Sequence, residues 1–92
     1  MKSVKPNLEN LKETFPLVEI FLEGNITFKD LIDTIDYQYK VPYKLIKADV
    51  EYSGKNNYGS ILLQLQGEEE INETAFQFFR KNKIKTVIKG YE

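Results

Sequence analysis

The chain has 92 residues, a formal net charge of -1 and a pI of about 5.5, with 41% hydrophobic and 29% charged residues. Such a composition fits one globular domain with a modest core, and it offers no overall positive field to attract phosphates or anionic lipid. Cysteine and histidine are both absent, which excludes a disulfide framework, a thiolate nucleophile and a Cys/His zinc site; no apolar run reaches the ~18 residues of a membrane span.

Residues 1–16 ("MKSVKPNLENLKETFP") are polar, carry Pro6 and Pro16 near their ends, and read as a linker or leader cut from something longer. The folded unit is expected over residues 17–92. "LVEIFLE" (Leu17 to Glu23) is the first strand, broken by Gly24 and Asn25. "TFKDLIDTIDYQYK" then has helical spacing, with Phe28, Leu31, Ile32, Ile35 and Tyr39 on one face. Thr27 is its expected N-cap, Asp30 suits the positive end of its dipole, and Pro42 ends it or sits just past its end.

"YKLIKADVEYS" alternates with period two: Ile46, Ala48, Val50 and Tyr52 face one way, and Lys47, Asp49 and Glu51 the other. "GKNN" is the expected turn, and "YGSILLQLQ" the third strand, stopped by Gly67. "EEEINETAFQFFRKN" is the second helix, acidic at its start and basic at its end, with Ile71, Ala75, Phe78 and Phe79 as its buried stripe. Asn82 is expected to stop it in a left-handed conformation, and "IKTVIK" is the fourth strand.

The order β-α-β-β-α-β is an α+β, ferredoxin-like arrangement: a four-stranded antiparallel sheet in the order 4-1-3-2 with two helices on one face. Val18, Ile20 and Leu22, then Ile61, Leu63 and Leu65, then Ile84, Thr86 and Ile88 are expected to face the helices. Phe21, Leu62 and Val87 then point to the uncovered face. There they form an apolar patch, rimmed by Glu19, Glu23, Lys85 and Lys89, suited to a protein interface and a homodimer.

Catalysis finds little support. Asp33 with Asp36, and Asp49 with Glu51, are paired carboxylates on solvated faces, and the run Glu68 to Glu70 is helix-end electrostatics before it is a metal site. No catalytic residue and no metal site are expected in this segment. Base stacking on the open face would need aromatics, of which Phe21 is the clear one, and a basic stripe that the sequence lacks; no nucleic-acid partner is expected.

The pattern from Gly24 through "ADVEYSGKNNYGSILLQLQG" to "IKTVIKGYE" resembles the NIL domain. The tyrosine-containing strand, the turn of matching length, the "YG" opening the third strand and the glycine after that strand are the most specific parts. That family occurs at the C-terminus of the ATP-binding subunits of methionine ABC importers, and beside iron–sulfur clusters in some ferredoxins. The name-giving Asn-Ile-Leu triplet falls on Lys44, Leu45 and Ile46, so the asparagine has become lysine.

The resemblance implies a regulatory domain that binds L-methionine at a domain–domain interface and inhibits transport when cytoplasmic methionine is high. The matching positions are Thr27, Phe28, Lys29, Asp30, Leu31 and Ile32, with Lys44 and Leu45 opposite. Lys44 either tightens carboxylate binding, shifts specificity or obstructs the pocket. ATP, Mg and the membrane permease subunits would belong to the parent chain, held in the cytoplasm at the inner face of the cell membrane. The alternative is an amino-acid-binding or dimerisation module of another protein, such as a ferredoxin; a cluster would then need cysteines from a neighbouring segment.

Overall fold

The structure, a computed structural model, describes residues 15–92. The leader expected over residues 1–16 lies almost wholly outside the described residues. The elements are β1 (Pro16–Glu23), α1 (Phe28–Asp33) continued by a π-helical turn (Thr34–Gln38), β2 (Tyr43–Ser53), β3 (Asn56–Leu65), α2 (Glu69–Lys81) and β4 (Thr86–Tyr91). The sheet runs β2-β3-β1-β4, all neighbours antiparallel, which is the 4-1-3-2 order expected from right-handed crossovers. β1 opens one residue earlier than expected, at Pro16, and Phe15 exchanges backbone bonds with Glu92.

Period two sets the core. Val18, Ile20 and Leu22 of β1 and Ile61, Leu63 and Leu65 of β3 are at most 2% exposed. Both helices cover that face, with Leu31 and Ile35 of the first helix and Ala75, Phe78 and Phe79 of α2 in one cluster. The helices touch each other through Tyr39 and Phe78, whose ring centroids are 5.8 Å apart. Each helix ends the same way. A lysine takes a left-handed conformation (Lys40 at φ 55, Lys83 at φ 56) and a buried aliphatic residue follows, Val41 or Ile84.

Several local expectations change. Asn82 stays at φ -99 and donates its side-chain amide to the Phe78 carbonyl, leaving the left-handed turn to Lys83. Ile71 is exposed, and Asn72 takes its place in the buried stripe of α2. The Asn72 carboxamide accepts from Gly67 N and donates to Gly67 O, both at 3.0 Å, so it satisfies the backbone of the turn into α2. Gly54 and Lys55 alone make the hairpin turn; Asn56 and Asn57 already belong to β3. Ile84 is buried but precedes β4, and Ile88, although on the helix side opposite Val18, is 46% exposed at the sheet edge.

A bulge breaks the parity of β2. Leu45 pairs with Leu63 and Lys47 with Leu62, so Ile46 is the additional residue. Beyond it Ala48, Val50 and Tyr52 share one face, as expected, and pairing with β3 makes that the helix side. Before it the helix side passes to Tyr43 and Leu45, while Lys44 stands opposite Gln64 on the open face.

Candidate ligand-binding site

The first helix is started by its cap. Thr27 has extended backbone, and its Oγ1 accepts from Asp30 N at 3.1 Å. The Phe28 N–H is taken by the Asn57 carboxamide oxygen at 2.6 Å. Two of the first-turn amides are therefore satisfied within the chain. Lys29 lies within 2.7 Å of Asp33, and this hydrogen bond and charge raise the lysine's pKa above its ordinary value. Leu31 is fully buried in the core, and Phe28 and Ile32 are half-buried against it. Asp30 is exposed.

Lys44 and Leu45 are exposed and stand elsewhere. Phe28 is tied to Asn57, which pairs with Tyr52; Lys44 and Leu45 pair with Gln64 and Leu63. Tyr52 and Lys44 are about eight residues apart along β2, roughly 26 Å at the ordinary strand rise. The two groups of residues that the resemblance pairs thus occupy opposite ends of the sheet in a single chain. Tyr43, next to Lys44, faces the later part of the first helix; partial burial raises its phenol pKa, and nearby Asp36 and Asp33 add to the rise.

The open face has the expected residues in an unexpected order. Phe21, Leu62 and Val87 do lie on the side away from the helices. Glu19 pairs with Leu62 on one flank and Val87 on the other, so its carboxylate stands between them rather than on the rim. Lys89 reaches Glu19 at 3.6 Å, and the Lys85 ammonium lies 5.5 Å from the Phe21 ring centroid. Phe21 and Leu62 remain diagonal neighbours. Tyr58 shares this face opposite Glu23, a second open-face aromatic that strand parity also implies. A recess of about 200 Å³ lies beside Leu62, with Glu19, Lys47, Asp49 and Lys89 around it.

The larger concavity, about 1010 Å³, is at none of these places. It lies between α2 and the start of β1, with Phe15, Gln66, Glu69, Phe76, Ile88 and Tyr91 among its walls. Nothing in the sequence marked it: Ile88 alternates like a core residue, and only the structure leaves it half-exposed. Among the described residues no cluster of acidic side chains is arranged to hold a metal ion, and no helix is long and apolar enough to cross a membrane.

A solved domain shares this architecture. The solved C-terminal domain of an ABC transporter ATP-binding protein from Enterococcus faecalis superposes with a TM-score of 0.71, at 24% identity, over 94% of each chain. The methionine import ATP-binding protein MetN of Vibrio vulnificus is 26% identical over 85% of this chain and 23% of its own. MetN 2 of Enterococcus faecalis is 26% identical over 92% of this chain and 26% of its own. The chain therefore spans about a quarter of the length of these curated relatives. The NIL domain pattern matches residues 16–87, from the first residue of β1 into β4, and takes in both helices and the Tyr58-Gly59 and Gly67 positions; the chain belongs to the NIL domain family.

Proposed function

We propose that this chain is the C-terminal regulatory domain of a methionine importer's ATP-binding subunit, and that it binds L-methionine to hold the importer at rest when cytoplasmic methionine is high. The observation that carries the reading is the match to the MetN proteins over 85% of this chain but only 23% of theirs. ATP and Mg would be bound by the rest of the parent chain, which would work with membrane permease subunits from the cytoplasmic side.

The ligand's ammonium and carboxylate call for opposite charges, and its thioether for apolar wall. Asp30 and half-buried Phe28 and Ile32 offer the first half; Lys44 and Leu45 offer the second. Since one chain holds these halves far apart, the reading requires two chains, and methionine would favour the paired arrangement through its greater affinity for it.

Calorimetric titration with L-methionine tests this. The expected result is saturable heat with L-methionine, much weaker heat with leucine, and an altered constant for Lys44→Asn. No heat with methionine at domain concentrations near about 1 mM overturns the reading.

A further inference from the structure

The groove between α2 and the edge strand β4 has no cover among the described residues. Pro16 pairs with Tyr91 and Val18 with Ile88, so parity puts Ile88 and Tyr91 on the helix side of the sheet. α2 does not reach over them: Ile88 is 46% and Tyr91 63% exposed. Phe76 of α2 lines the same groove, half-buried against the core. At one end the groove is acidic. Glu68 and Glu69 have no ion partner there among the described residues, and Glu73 is held by Arg80.

A small ligand would need polar groups that converge on it. The buried polar side chain of this groove is Asn72, and its carboxamide is spent on the N–H and the carbonyl of Gly67. The groove therefore calls for an apolar cover with a basic flank, not for a polar guest.

We propose that residues 7–14 of this same chain are that cover. They join the groove directly, because Phe15 and Pro16 are among its walls. Their apolar side chains are Leu8 and Leu11, three apart and so on one face of a short helical segment, with Asn7 as a favoured N-cap. That segment must end before Phe15. Pro16 disfavours helical backbone at Phe15, which is already paired with Glu92. Four residues separate Leu11 from Phe15, at most about 14 Å of chain. Leu11 is thus kept close to Tyr91 and Ile88, and Leu8 follows one turn further along. Lys12 stands four after Leu8, beside the leucine stripe, and its ammonium answers Glu68 and Glu69. The inference does not depend on the methionine reading.

Nuclear Overhauser contacts in the full 92-residue chain test it. The methyls of Leu8 and Leu11 should contact the Ile88 methyls and the Tyr91 and Phe76 rings. A mixture of labelled and unlabelled chains should show that these contacts lie within one copy. Their absence, or their presence only between copies, overturns the proposal. Trypsin gives a second readout at Lys12. Leu8→Ser combined with Leu11→Ser should raise the rate of cleavage there at least about fivefold. Ile88→Ser, on the other side of the contact, should raise it likewise while the circular dichroism of the folded chain is kept. A wild-type chain cut at Lys12 as fast as the double variant overturns the proposal. If Ile88→Ser does not fold, the leucine variant decides alone, since both of its changes precede β1.

Discussion

The carboxamide of Asn57 joins two elements far apart in the chain. It is 4% exposed, sits in β3, and its oxygen accepts the Phe28 N–H at the start of the first helix. A helix start leaves amide groups without internal partners, and here a strand side chain supplies one. Asn57→Ala should therefore destabilise the fold by about 1–3 kcal/mol, read as a shift of the urea midpoint at unchanged slope; a midpoint within error of wild type would mean that water replaces the contact. Nothing in "GKNN" announced this bond, because an asparagine in a turn and one in a strand read alike until the hairpin is closed. Gly59 was more legible. At φ 133 it faces β2 so closely that a Cβ would run into the Asp49 carbonyl oxygen, which explains physically why a glycine follows Tyr58 inside the third strand. Gly24 plays a similar part under Tyr58, whose hydroxyl would stand 2.9 Å from an added Cβ.

At the scale of elements, caps and periodicity were legible because they are local, and breaks in the pattern were not. Thr27 caps as its neighbours imply, and the stripes of both helices follow the helical period apart from Ile71. The register shift at Ile46 depends on how β2 meets β3, and strand sequence alone does not fix it. It moves Lys44 to the open face and Leu45 to the helix side. The junction after the first helix shows the same limit. Tyr39 N bonds to the Thr34 carbonyl, the π-helical turn, and Val41 N bonds to the Ile35 carbonyl around Lys40. That wrapping requires a left-handed residue, and lysine adopts the conformation at a cost that glycine escapes. Lys40 is exposed, so no packing is lost on replacing it. Lys40→Gly should raise stability by about 0.5–1 kcal/mol, measured by thermal or urea unfolding. A loss of stability would mean that glycine's freedom in the unfolded chain outweighs the relief.

For the whole molecule, sheet order and the composition of each face were legible in the sequence, while the assembly of a site was not. Parity alone put Phe21, Leu62 and Val87 on one side; pairing then set Glu19 between two of them. The distance between Thr27 to Ile32 and Lys44 has a thermodynamic consequence. If methionine contacts both groups, it binds only where two copies meet, and its binding and their pairing are linked. Linkage is reciprocal: whatever factor methionine adds to self-association, self-association adds to methionine affinity. Saturating L-methionine should then tighten the dimer at least about fivefold in sedimentation equilibrium, and the apparent methionine affinity should rise with protein concentration by the same factor. The melting temperature should climb with protein concentration as well, and climb further with ligand present. A dimer constant indifferent to bound methionine would instead place the ligand within a single copy, and the recess beside Leu62 would be the place to look for it.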